Sequence, residues 1–110
     1  MTSVRLKQLL SLLENSPNDS FINFAIAKEY EGLNDDKNAF DYYLQLVEND
    51  SNYVGTYYHL GKLYEKNEDI EKAFSTYKEG MKIAKMQNDQ HALNELAGAK
   101  LNLGDDEDFE

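Results

Sequence analysis

Seven positions of this 110-residue chain keep their chemical type when the sequence is read against itself at an offset of 34. Ile26 pairs with Leu60, Ala27 with Gly61, Lys28 with Lys62 and Tyr30 with Tyr64. Further on, Ala39 pairs with Ala73, Phe40 with Phe74 and Tyr43 with Tyr77. Self-similarity at that period marks an array of helical hairpins, each too small to bury its own apolar face without a neighbour. The densest segment, residues 56–77, reads TYYHLGKLYEKNEDIEKAFSTY, two short amphipathic stretches joined by a polar turn. Small residues at positions 27, 39, 61 and 73 let the paired helices approach closely, and the tyrosines fill the space between them.

Around that core the chain divides at its breakers. Residues 3–14 place Val4, Leu6, Leu9, Leu10, Leu12 and Leu13 at helical spacing, with Ser3 as N-cap and Asn15-Ser16-Pro17 as the stop. A helix is expected from Ser20 to Leu33, capped by Asp19 or Ser20, and a second from Asp36 to Glu48. The same pair recurs over about 53–66 and from Asp69 or Ile70 to Met86, and a last helix over 90–103. Gly61 in mid-helix costs about 1 kcal/mol against alanine unless a close approach requires it.

The large aromatic, Leu-Gly, Tyr, small residue and aromatic order of Tyr57, Leu60-Gly61, Tyr64, Ala73 and Tyr77 resembles the tetratricopeptide repeat family. The resemblance implies an all-α, right-handed helical-hairpin solenoid of about six helices. Its expected domain is single, over residues 1–104. Within it, 3–15 is an N-terminal capping helix resembling half a repeat, 20–53 the first repeat, 54–87 the second and 90–103 a C-terminal cap. The last helix fits the pattern with a shift of two residues, which puts Leu96-Ala97 at the Leu-Gly pair. Lys100 then stands where the family has tyrosine.

In this family the first helix of each repeat lines a concave groove. Carried onto this sequence, the groove positions are Phe21, Phe24, Lys28 and Glu31, then Gly55, Tyr58, Lys62 and Glu65. Helical spacing independently puts Phe24, Lys28 and Glu31 on one face, and Tyr58, Lys62 and Glu65 on another. Aromatic anchors beside cations suit an extended or helical peptide with apolar and acidic side chains. The competing reading pairs Lys28 with Glu31 and Lys62 with Glu65 and leaves the aromatics leaning on neighbouring helices. The carboxylate clamp by which some members hold chaperone tails is absent: Phe24 stands at its lysine, and Lys28 and His59 at its asparagines.

The expected function is thus a non-catalytic adaptor or scaffold that binds a protein or peptide. The alternative is structural self-association through the groove, the acidic tail or the end helices. Composition narrows the other classes. The net charge is −10, five of those charges falling in the last six residues, and no basic stripe exists to displace counterions from nucleic acid or an anionic membrane. There are no cysteines, and two histidines, His59 and His91, without partners at ligand spacing, so neither a metal nor a catalytic role is expected for them. No cofactor is expected, nor a signal peptide or membrane span, and the chain reads as cytoplasmic. The end, residues 105–110, reads as a disordered acidic terminus. Its sharper alternative makes Phe109 a groove ligand, docking into another copy or into its own chain.

Overall fold

A computed structural model of the chain describes residues 3–109; Met1 and Thr2, assigned above to the domain, and Glu110, assigned to the tail, lie outside the described residues. Among the described residues six α-helices follow one another: α1 (Val4–Asn15), α2 (Ser20–Gly32), α3 (Asp36–Asn49), α4 (Gly55–Lys66), α5 (Ile70–Met86) and α6 (Gln90–Leu103). No strand occurs among them. The fold is an all-α helical repeat. The contacts divide the chain into two compact units, Met1–Tyr53 and Val54–Glu110. The division falls at the boundary between the two repeats.

The helix starts are fixed by short polar side chains that accept hydrogen bonds from otherwise unpaired N–H groups. Ser3 accepts from the Leu6 amide and Asp19 from that of Ile22. Asp35, Asp69 and Asp89 do the same for α3, α5 and α6. Helix α4 begins without a side-chain cap, at Gly55 rather than Tyr53. Tyr53 instead belongs to the first unit, where its ring lies 5.5 Å from that of Phe24.

One turn is used three times. After α2, Asn34 takes φ 60° and the Asp35 amide donates back to the Tyr30 carbonyl at 2.9 Å. Glu68 and Asp69 repeat this after α4 onto Tyr64, and Asn88 and Asp89 after α5 onto Ala84, again at 2.9 Å. The left-handed residue turns the chain back while the aspartate closes one helix and caps the next. Three antiparallel pairs result: α2 with α3, α4 with α5, and α5 with α6.

In the first unit the core comprises Leu6, Ala25, Ile26, Ala27, Ala39, Tyr43 and Leu46. Helix α1 packs on α2 through Leu6, while Val4 and Leu12 of its expected apolar set stay exposed. In the second unit Tyr57, Leu60, Leu63, Ala73, Phe74, Tyr77, Ile83, Ala84, Leu96 and Ala99 are buried. Gly61 lies against the Tyr77 ring with no room for a Cβ, and a Cβ on Gly80 would come 2.5 Å from that of Tyr57. These are the close approaches that the small residues permit.

The acidic end departs from expectation. Asp106–Phe109 form a 3-10 turn rather than a disordered terminus. The Asp108 backbone donates to the Asp105 carbonyl, and the Asp108 carboxylate accepts from the Asp105 amide at 2.8 Å. The second of these bonds is half of a capping box, a side chain reaching back to the amide three residues earlier.

Candidate peptide-binding faces

In the first unit, α2 carries Phe21, Phe24 and Lys28 along one side, and α1 brings Arg5 beside them. Together with Ala25 and Glu29 these side chains line a recess of about 300 Å³. Phe21 is 66% exposed. Phe24 is half-buried, held by Tyr53 on one side and by Tyr43, 6.2 Å away between ring centroids, on the other. The Lys28 ammonium sits 5.7 Å from the centre of the Phe24 ring, a cation–π distance. Arg5 is mostly exposed, its guanidinium 3.4 Å from a Glu29 carboxylate that also accepts from the Ser3 hydroxyl at 2.9 Å. Two phenylalanines and two cations thus border one opening, with a single carboxylate already engaged.

Glu31, expected beside them, serves a different purpose. Its carboxylate accepts from the buried Tyr43 hydroxyl at 2.6 Å, which ties α2 to α3. Burial first, and then this carboxylate, push the Tyr43 phenol well above its ordinary pKa.

The second unit repeats the arrangement on α4. Lys62 lies 5.5 Å over the Tyr58 ring, and the Tyr77 hydroxyl donates to Glu65 as Tyr43 does to Glu31. Tyr77 is raised for the same reasons in the same order. Here the expected ion pair is present, Lys62 to Glu65 at 3.6 Å. Tyr58 packs against Tyr77 at 6.4 Å and edge-on to His59 at 5.6 Å. Gly55, the first residue of α4, contributes backbone only.

The structure therefore brings Phe21, Phe24 and Lys28 to one recess, and Tyr58, Lys62 and Glu65 to one stripe. It turns Glu31 and Glu65 toward the paired helix. Arg5 escapes sequence reasoning because it lies on another helix, where an exposed arginine among leucines carries no signal by itself. Phe109 does not lie on the α4 face: it stacks on Phe74 of α5. Among the described residues no group of three or more His, Cys, Asp or Glu is placed to hold a metal ion, and no helix is long and apolar enough to cross a membrane.

Comparison with known proteins agrees with the repeat. A family model described as tetratricopeptide repeat matches residues 22–53 and 54–85. No curated protein sequence matches. Among solved structures, the chain is similar to the solution NMR structure of a tetratricopeptide repeat domain protein from Salinibacter ruber. The two are 41% identical, over 79% of this chain and 88% of that one, with a TM-score of 0.76. A crystal structure of a tetratricopeptide repeat domain protein from the same organism gives 40% identity and a TM-score of 0.75, over 84% and 99% of the two chains.

Proposed function

Since the chain belongs to the tetratricopeptide repeat family, whose repeats generally mediate protein–protein interaction and are typically non-catalytic, we propose that it is an adaptor that binds peptide segments on the exposed faces of α2 and α4. The observation that carries this reading is the recess of the first unit. Phe21 and Phe24 offer apolar contact area, and Arg5 and Lys28 stand at its border. Side chains of this kind anchor interfaces, the aromatics through desolvation and the cations through charge-assisted hydrogen bonds to carboxylates. The favoured ligand is an acidic segment with an apolar anchor. The α4 stripe offers Tyr58 and Lys62 for the same chemistry, with Lys62 partly engaged by Glu65. A short segment on so small a face binds with an affinity on the order of micromolar.

The test is a titration of a peptide library, graded in acidic and aromatic content, against wild type and Phe21→Ala/Lys28→Glu. Acidic, aromatic peptides are expected to bind wild type and to lose about tenfold or more in the variant. Equal binding by both proteins sinks the reading. Self-association is the second reading, favoured by Val4 and Leu12 of α1, which are 74% and 54% exposed. Sedimentation of wild type and Leu12→Glu across concentration separates the two readings.

A further inference from the structure

The contact between residues 105–109 and α5 has the features of an occupied binding site. Phe109 stacks on Phe74 with ring centroids 4.0 Å apart and planes 12° from parallel. Lys100 of α6 sits at the junction, its ammonium 4.7 Å from the centre of Phe74 and 2.9 Å from Asp106 Oδ1. Lys78 of α5 lines the same recess as Phe74, Asp106 and Phe109. Phe74 is 4% exposed under this cover, whereas Phe40, its equivalent 34 residues earlier, is only half-buried. The chain returns through Gly104, whose φ of 140° disfavours any side chain, and a Cβ there would meet the Asp108 carboxylate at 2.7 Å.

Lys100 replaces the tyrosine found at the corresponding places, Tyr30 and Tyr64, in the two full repeats. With tyrosine there, the position would have no cation. With lysine it binds a ring on one side and a carboxylate on the other.

We propose that Phe74, Lys78 and Lys100 form a second docking site, separate from the α2 and α4 faces, for an acidic segment bearing a phenylalanine three residues after an aspartate. The chain's own Asp106–Phe109 is its resident occupant, and a partner segment of the same chemistry displaces it. The stacked ring supplies shape, and Lys100 reads the carboxylate at a fixed distance from that ring. Occupancy in cis acts as a competitor at high effective concentration, so a ligand must outbid a tethered copy of itself.

The probe is a fluorescein-labelled peptide of sequence GDDEDFE, that of residues 104–110, titrated by anisotropy against full-length proteins shown to be helical by circular dichroism. Phe109→Ala and Gly104→Ala empty the seat by independent means. Each is expected to bind the peptide about tenfold more tightly than wild type. Adding Lys100→Glu, or Lys100→Met if the reversal unfolds the chain, to Phe109→Ala is expected to weaken binding by at least about tenfold. Peptides with alanine for phenylalanine, or asparagine at the place of Asp106, are expected to lose binding similarly. Phe21→Ala/Lys28→Glu in the Phe109→Ala background is expected to leave this binding unchanged, which separates the proposal from the adaptor reading. Wild type and Phe109→Ala binding the peptide equally, or not at all, overturns it. So does loss of binding in the Phe21→Ala/Lys28→Glu variant, because the peptide would then belong to the α2 face.

Discussion

Gly61 lies beneath the Tyr77 ring, where one added carbon has no place to go. Glycine in a helix interior costs about 0.5–1 kcal/mol relative to alanine, so on propensity alone Gly61→Ala should stabilise the chain. The steric effect opposes it: both partners are buried, and Tyr77 is pinned at its far end by Glu65. Overpacking of this kind costs about 1–3 kcal/mol, and it is expected to win. Gly98, in mid-α6, is the internal control, because a Cβ added there would meet nothing within 4 Å. Gly98→Ala is expected to raise the melting temperature by a few degrees and Gly61→Ala to lower it by more. Thermal denaturation of both variants checks the sign, and a Gly61→Ala protein as stable as wild type would mean that the ring moves aside freely. Glu68 presents the opposite case. It holds φ 63° in the turn after α4, a conformation that costs a residue with a Cβ about 1–2 kcal/mol. Its equivalents, Asn34 and Asn88, are of a type that tolerates it. Glu68→Gly is therefore expected to stabilise the chain by about 1 kcal/mol, read as a shift of the urea midpoint without a change of slope.

At the scale of the helix pair, the tyrosine–glutamate bridges tie α2 to α3 and α4 to α5 near the turn that joins each pair. Burial and the neighbouring carboxylate both disfavour the phenolate, so Tyr43 and Tyr77 stay protonated in the fold well above their ordinary pKa of 10.0. The sign follows directly: the contribution is whole below pH 10 and drains as the pH rises above it, because the unfolded chain ionises these tyrosines first. Each tyrosine adds a slope of about 1.4 kcal/mol per pH unit in that range. Tyr77→Phe is expected to cost about 1 kcal/mol at neutral pH and to flatten the alkaline decline by one proton, which urea titrations at several pH values would measure. An unchanged slope would show that the phenol ionises freely in the fold. The helices themselves are legible in the sequence, because caps such as Ser3 and Asp19 and the 34-residue period are local or self-referential signals. Glu31 and Glu65 fall on the expected helices but carry a different emphasis: spacing puts them beside Lys28 and Lys62, whereas their tyrosine partners depend on how two helices cross. The end of the chain is illegible for a related reason. A run of acids has the composition of a solvated terminus, and the Asp105–Asp108 cap within it counts only when Phe74 and Lys100 are near enough to hold what it starts.

For the molecule as a whole, charge acts in two opposing directions. A net charge of −10 on 110 residues produces self-repulsion that favours expansion. Salt screens it, the Debye length falling from about 30 Å at 0.01 M to about 8 Å at 0.15 M, so the melting temperature is expected to rise with sodium chloride over that range. Acidification also removes the repulsion, and on that ground alone stability would peak near the sequence pI of about 4.5. Four of the six described helices, however, start on an aspartate side chain that accepts a capping hydrogen bond: Asp19, Asp35, Asp69 and Asp89. Asp35 is held below its ordinary value of 3.8 by the Asn38 side chain and then by the Asn38 amide, so its contribution is present above that value and is lost as the pH falls through the lowered one. Asp106 behaves likewise through its bond to Lys100, with Lys78 adding to the effect, so the seated tail shares the same acid limit. Relief of repulsion therefore comes first on the way down from neutrality, and loss of the Asp35 cap and the tail contact follows only below about pH 3.8. The melting temperature is expected to rise as the pH falls from 7 towards the pI of about 4.5 and to drop below about pH 3.8, with the maximum between the two. A melting temperature that kept rising below pH 3.8 would mean that self-repulsion outweighs the Asp35 cap and the tail contact, and a fall that begins above the pI would mean that repulsion is not what limits stability near neutrality.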